Sequence, residues 1–481
     1  DSPSSPMPAT EPAADRPDAR GSNLADLLWQ HPFADDRPLL HDPQRSLTAG
    51  EAKARVRAQV EQLRDAGVEP GVPVVIVLDS GLDQLLAVLA VWQVDAVAVP
   101  VNARLPAAAA DSVIEDTDPA AIVDDTGVRP LPSTTRHDDG VAFVLWTSGT
   151  TGRPKPVLHT HDGYLELLDR VLAPLRARPA DPDREPSPNL IPVSMALNAG
   201  IYNALFGLRA GAPLVIMDRF DTSAFAALVA RHRIRSTVLP PAAMVMLSDD
   251  QSIAELAPLR YVRSITAPLS PFQARRFNDR FGVTVLNGYG QAEIGEVIGW
   301  TAADAREHPD RIGAVGRPHQ GVEVRLDEPD DNGVGQLLVR PPRRAVGYAS
   351  DDDLADRLTH DGFVRTGDLA RIDNAGFVWI EGRMGDLINR GGNKVFPEEV
   401  EEVLVSLPGV REAAVIGRPD DRLGQVPVAF VVLDDPAPNH DEMEAACRSQ
   451  LAAYKVPTRF ETIDRLPRNE AGKLLRRELV P

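Results

Sequence analysis

A chain of 481 residues exceeds what one compact core organises, so two or three domains are expected, and its 43% apolar and 25% charged content is that of a folded globular protein. The formal net charge of -19 argues against a nucleic-acid or anionic-membrane partner, so any anionic ligand must meet a local positive site. Cys447 is the sole cysteine, which excludes an intramolecular disulfide and a CxxC metal site and fits a reducing, cytoplasmic setting.

Residues 1–22, rich in Pro, Ala, Ser and Asp, lack the basic and apolar regions of a signal peptide and read as a disordered tail. After Leu47, helical spacing (EAKARVRAQVEQLRDAG) runs to Gly67, and Pro70-Gly71 turns into a strand over 74–78. A helix over 82–92, a strand over 96–101, another helix and a short strand over 121–123 follow. The apolar run 85–92 is far shorter than the roughly 20 residues a membrane span needs, so it is a core helix. This alternation predicts an α/β arrangement with a largely parallel sheet.

Next comes the apolar run 141–146 (VAFVLW), which stops abruptly at TSGTTGRPK, residues 147–155. Successive backbone N–H groups after a buried strand make a concavity suited to anionic oxygens. Thr147, Ser148, Thr150 and Thr151 add hydroxyl donors, Gly149 and Gly152 allow close backbone approach, and Lys155 adds a mobile charge. The stretch reads as a phosphate cradle at a strand's carboxyl end, where such sheets bind ligands. It is not a Walker A loop, whose glycines stand further apart and are followed by Gly-Lys-Ser/Thr.

Strands are expected near 212–217, 236–239, 261–266 and 284–287, with helices between. From 313 to 371 the Gly-punctuated alternation of GVEVRL and GQLLVR predicts an antiparallel piece. Beyond Arg383 a small α+β unit is expected: helix 397–407, strands 412–416 and 426–433, helix 441–451 and a lysine-bearing tail. Residues 383–386 offer the flexible break.

Five further strings join the cradle: NGYGQAE (287–293), GQLLVR (335–340), RTGDL (365–369), EGRMGDLINRGGNKV (381–395) and PRNEAGKL (467–474). In this order they resemble the adenylate-forming superfamily of acyl- and aryl-CoA ligases, peptide synthetase adenylation domains and beetle luciferases, over about residues 45–481. The resemblance implies a large α/β domain of layered subdomains (23–383) with a small antiparallel piece, and a mobile α+β lid (384–481). It also implies a reaction in which a carboxylate displaces pyrophosphate from ATP and the acyl group passes to a thiol. Both reactants of the first step are anions, so charge screening and alignment dominate.

Residue by residue, the resemblance matches Glu293 to the Mg²⁺ ligand, Tyr289 to the ring on adenine, and Asn287, with Gly288 and Gly290, to its surroundings. Asp368 is matched to the ribose acceptor and Arg383 to a ribose or phosphate contact. Lys473 reaches across to the reacting carboxylate and phosphate, with Thr151 of the cradle also catalytic. The hinge position, commonly Asp or Lys in the family, is Gly385 here. The acid pocket is expected from the uncharged segment 190–208 (LIPVSMALNAGIYNALFGL), with Met195 and Asn198, and from strand ends at Ala267 and Gly288. With no aspartate for an ammonium, an α-amino acid is disfavoured and an aliphatic or aromatic tail expected. Gly391-Gly392 would let a pantetheine arm pass, from CoA or a carrier protein. An enzyme passing its acyl group to a non-thiol acceptor and an inactive nucleotide-binding regulator are the other readings; retention of Lys473, Glu293 and Asp368 weighs against the second.

Overall fold

The structure, a computed structural model, describes residues 22–147, 155–176, 186–264, 266–349, 354–469 and 472–479. The tail 1–21 and most of the cradle therefore lie outside the described residues. Two seven-stranded sheets form the frame. The first runs in space through Thr284–Leu286, Tyr261–Ser264, Ser236–Leu239, Asn189–Ile191, Leu214–Ile216, Pro38–His41 and Ser46–Thr48, parallel throughout except at its last pair. In the second, Val141–Thr147, Val97–Val101, Pro73–Val77 and Ala121–Asp124 are parallel. Its flanks are antiparallel: Lys155–Thr160 folds back on Val141–Thr147, and Gly127–Pro130 on Ala121–Asp124.

Helices Gly81–Gln93, His161–Arg176 and Asn198–Arg209 lie between the sheets and share one core with both. Helix Gly81–Gln93 is apolar on almost every face because it has a sheet on either side; Ser80 caps its start by accepting from the Asp83 N–H. Its Trp92 ring N–H donates to the Ala142 carbonyl at 2.6 Å, fixing it against the strand that leads into the cradle. Helix Ala49–Asp65, begun by a Thr48–Glu51 capping box, covers the same core. Helices Thr222–Arg231, Pro241–Asp249 and Pro271–Phe281 cover the other face of the first sheet.

Expected and observed elements agree to within a few residues, with three differences. The strand expected over 212–217 is confined to Leu214–Ile216. Asn189–Ile191 is a strand within the stretch expected only as pocket wall. The expected strand 412–416 extends over Val410–Asp420 because it pairs along its whole length with Gly424–Leu433.

The antiparallel piece is a four-stranded sheet, Glu323–Asp327, Gly335–Arg340, Val364–Ile372 and Val378–Arg383. Beside it Gly288–Gln291, Gly295–Gly299 and Arg317–Pro318 form a three-stranded sheet with no counterpart in the sequence reading. From Ile388 onward the chain builds cores of its own around the paired strands Val410–Asp420 and Gly424–Leu433 and helices Pro397–Val405 and His440–Gln450. No helix among the described residues is long and apolar enough to cross a membrane.

Arg476 ties the C-terminal segment to this small unit. Its guanidinium bonds Glu401 and Glu398 (3.1 Å), donates to the Val415 carbonyl at 2.9 Å and lies 3.6 Å from Asp386. Burial holds the Glu398 carboxyl well above the usual carboxylate range, against the pull of Arg476. Removing the arginine strands three carboxylates around one buried spot, so Arg476→Leu is expected to destabilise the small unit by about 3 to 5 kcal/mol. Thermal unfolding followed by circular dichroism checks this; an unchanged midpoint would contradict it.

Candidate active site

Thr147 is the last residue of its strand and pairs across the hairpin with Lys155. Ser148, Gly149, Thr150, Thr151 and Gly152 lie outside the described residues. The Lys155 ammonium sits 5.2 Å over the ring of Tyr348, whose strand Gly347–Tyr348 pairs with Lys155–Thr160. From there a chain of polar side chains crosses the site. The Tyr348 hydroxyl donates to Glu293 Oε1 at 2.6 Å, and Arg357 Nη1 donates to the same oxygen at 2.7 Å. Burial, reinforced by the Glu293 carboxylate, pushes the Tyr348 hydroxyl up to about 12, so it remains a donor at neutral pH.

Arg357 also donates to Gln291 Oε1 at 2.6 Å, and Gln291 Nε2 donates to Asp368 Oδ2 at 2.9 Å and to the Thr366 carbonyl at 2.9 Å. The Tyr289 hydroxyl reaches the same Asp368 oxygen at 2.5 Å, while Arg383 Nε lies 3.0 Å from Oδ1. Strand register explains the last pair, since Asp368 and Arg383 stand opposite each other. A carboxylate offers about four acceptor positions, and three are filled here, so Asp368 is fixed yet still able to accept a hydroxyl. Lys473 is half-buried and lies within electrostatic range of this group. Burial lowers its pKa, and the Arg383 charge adds to that, opposed by Asp368 and Asp386. Gly472, at φ 76°, turns the tail so that the lysine follows, and a Cβ there would lie 3.8 Å from Ala242 Cβ.

Glu293, 9% exposed, has Oε1 occupied by Tyr348 and Arg357, while Oε2 accepts no hydrogen bond among the described residues. No trio of His, Cys, Asp or Glu among the described residues would hold a metal alone. One free carboxylate oxygen suits Mg²⁺, which takes one or two carboxylates with phosphate oxygens and waters. Behind Glu293 lies His159, 2% exposed, which burial lowers to about 4, so it is neutral.

Asn287 is buried, and its Oδ1 accepts from the Gly288 N–H at 3.0 Å. Gly290 has to be glycine, because a Cβ would stand 2.2 Å from the Gly295 carbonyl oxygen. Asn198 opens its helix and accepts from the Tyr164 hydroxyl at 2.7 Å. Ala267, half-buried, follows Thr266, which holds φ 74°. Met195 is not brought to these residues: it is 1% exposed, packed in the core against Gly81. Gly385 is exposed, with open space where a Cβ would stand.

The uncharged segment 190–208 does not set the polarity of this end of the site. Charge enters from other elements: Arg263 on Tyr261–Ser264, Glu296 on Gly295–Gly299, and His319 just beyond Arg317–Pro318. Arg263 Nη1 bonds Glu296 Oε1, and His319 Nε2 lies 3.1 Å from that oxygen. The sequence reading missed these three, along with Gln291, Tyr348 and Arg357. Only Gln291 falls within one of the matched strings, where its amide type was the available signal; the rest meet through pairing of strands distant in sequence.

Residues 29–138 and 124–349 match the family model described as AMP-binding enzyme, and 399–473 match the AMP-binding enzyme C-terminal domain. The chain is similar to a sulfoacetate–CoA ligase of Cupriavidus necator, 34% identical over 374 residues, covering 75% of this chain and 70% of that protein. It is similar to a feruloyl-CoA synthase of an Amycolatopsis species, 30% identical over 467 residues, with 90% and 93% covered. Among solved structures, ATP-bound MatB from Rhodopseudomonas palustris superposes with a TM-score of 0.83 at 25% identity, covering 95% of this chain and 98% of that one.

The Arg357 bridge between Glu293 and Gln291 generates a prediction. Arg357→Met leaves a buried carboxylate without its cation and is expected to lower the unfolding free energy by about 3 kcal/mol, with partial recovery in Arg357→Lys. Denaturant titration of the three proteins measures this, and equal midpoints would refute the bridge.

Proposed function

The chain belongs to the AMP-binding enzyme family, as an AMP-forming acid–thiol ligase, and from that premise we propose the following division of labour. A carboxylate oxygen of an acid without an α-ammonium attacks the α-phosphorus of ATP, pyrophosphate leaves, and acyl-AMP remains. The thiol of CoA then attacks the acyl carbon and AMP departs; a carrier-bound pantetheine offers the same thiol. Asp368 accepts from the ribose hydroxyls, held in place by Tyr289, Gln291 and Arg383. The cradle 147–155, Thr151 included, holds the phosphates, and the Tyr289 ring with Asn287, Gly288 and Gly290 borders the base.

Lys473 neutralises the meeting carboxylate and phosphate. Its charge, half-buried within electrostatic range of Arg383 and Asp368, is the observation that supports this reading. Glu293 would hold Mg²⁺ through its free Oε2. That ion, when bound, screens the phosphate charge. Gly385 is the proposed pivot on which residues 384–481 swing to admit the thiol, in a cytoplasmic enzyme that acts on neither nucleic acid nor membrane.

Two outcomes test it. Lys473→Ala is expected to slow acid-dependent ATP–pyrophosphate exchange by about a hundredfold or more, while thioester formation from pre-made acyl-AMP stays within a few-fold of wild type. Equal loss in both half-reactions would remove the lysine from this role. Because nothing lies within 4 Å of a Cβ at Gly385, Gly385→Asp is expected to fold normally and keep both half-reactions. Gly385→Pro, with φ locked near about -65°, is expected to impair thiol transfer more than exchange. Transfer at the parental rate in a folded proline variant would move the pivot elsewhere.

A further inference from the structure

The buried charge beside Gly288 has no part in the nucleotide chemistry. Glu296 Oε1 takes Arg263 and His319, and it lies where a Cβ on Gly288 would come within 3.4 Å and one on Gly299 within 2.7 Å. The glycines make room for the carboxylate. The backbone that carries it is clamped from behind: Arg170, with a fully buried side chain, donates to the carbonyls of Ile294 (3.3 Å), Glu296 (3.4 Å) and Arg343 (3.2 Å). Gly288 leads directly into Tyr289, whose hydroxyl holds Asp368, so the cluster stands one residue from the nucleotide machinery.

The hydrogen bonds of the cluster are incomplete. Arg263 has five N–H donors and, among the described residues, uses only Nη1, toward Glu296. Glu296 Oε2 accepts nothing among the described residues. The Tyr202 hydroxyl, on the helix that Asn198 opens, is buried with no partner among the described residues. Its surroundings include Glu296 and Arg263: burial first, then the Glu296 charge, raises its pKa far above the ordinary phenol value, so it stays a neutral donor. Tyr202 also packs edge-on to Tyr164, which bonds Asn198. The Tyr202 hydroxyl thus lies within electrostatic range of the Arg263–Glu296 pair, on the segment expected to wall the acid's tail, and a polar group buried without a partner is retained where a ligand completes it.

Charge decides which ligand. Arg263 is already matched by Glu296, so a second carboxylate or a sulfonate on the tail would confront the Glu296 carboxylate with no unmatched cation to hold it. A hydroxyl fits both sides, accepting from Arg263 or Tyr202 and donating to Glu296 Oε2.

We propose that Arg263, Glu296 and Tyr202 form a specificity site for the far end of the acid, and that the enzyme selects carboxylic acids whose tail carries a neutral hydroxyl over those with a bare or an anionic tail. This rests on the acid-activating reading above.

The test is ATP–pyrophosphate exchange with the full chain and matched acids on two skeletons: 3-phenylpropanoate, its para-hydroxy and para-carboxy forms, and hexanoate, 6-hydroxyhexanoate and adipate. Wild type is expected to favour a hydroxylated member by about tenfold or more in kcat/KM. Tyr202→Phe is expected to erase most of that preference by lowering the hydroxylated acid's kcat/KM while leaving the bare acid's unchanged, which a merely structural effect would not do. Glu296→Gln is expected to raise the relative rate with the diacids. A wild-type preference for a diacid or a bare acid, or equal losses for all acids in Tyr202→Phe, overturns the proposal. AMP binding by calorimetry separates the two levels of failure. Binding without exchange for any hydroxylated acid overturns the tail reading alone, whereas absence of both overturns the ligase reading with it.

Discussion

Everything at the nucleotide end of this protein depends on holding one carboxylate, Asp368, in place while it is almost wholly buried. Burial takes its oxygens out of water, and three donors replace that water: Tyr289, Gln291 and Arg383. Tyr289 and Gln291 come from one strand, Gly288–Gln291, and Arg383 from another, Val378–Arg383, so the antiparallel pieces that the chain adds to its two large sheets bring these strands to Asp368. Gly290, pressed against the Gly295 carbonyl, is the tightest expression of that requirement.

The net charge of -19 makes the arrangement of cations decisive. An acidic surface repels ATP and a carboxylate alike, so the site gathers Lys155, Arg357, Arg383 and Lys473 along one path. Arg357 and Arg383 carry bound carboxylates, and their charge is largely spent on positioning. Lys473, on a flexible stem and partly desolvated, keeps the charge best suited to moving between anions.

The alternation of apolar runs made the parallel sheets legible, because buried strands and helices leave period and length in the sequence. Glu293, Asp368, Arg383 and Lys473 were singled out through the strings around them; the structure pairs Asp368 with Arg383 and joins Glu293 to them through Arg357 and Gln291. Met195, an apolar residue before a helix, could face the core or the pocket on sequence alone, and it is 1% exposed within the core cluster. Arg263, Glu296 and His319 left no local signal: three ordinary polar residues, up to 56 positions apart, become one cluster only through strand pairing.

The contacts around Gly385 fall into two sets with different consequences for a swing of the small domain. Arg476 and its partners Glu398, Glu401 and Asp386 all lie on the C-terminal side of the proposed pivot, so in a swing they would travel together. Across the interface Glu402 bonds the Ser270 hydroxyl and accepts from the Phe272 N–H at 2.7 Å, at the start of helix Pro271–Phe281. A carboxylate at a helix N-terminus is a modest stabiliser, about 0.3 to 1 kcal/mol when partly exposed, and water replaces it readily. If the proposed swing occurs, strong bonds within the small unit and a modest contact of this kind across the joint would let the Lys473 tail leave the site while its own unit stays folded.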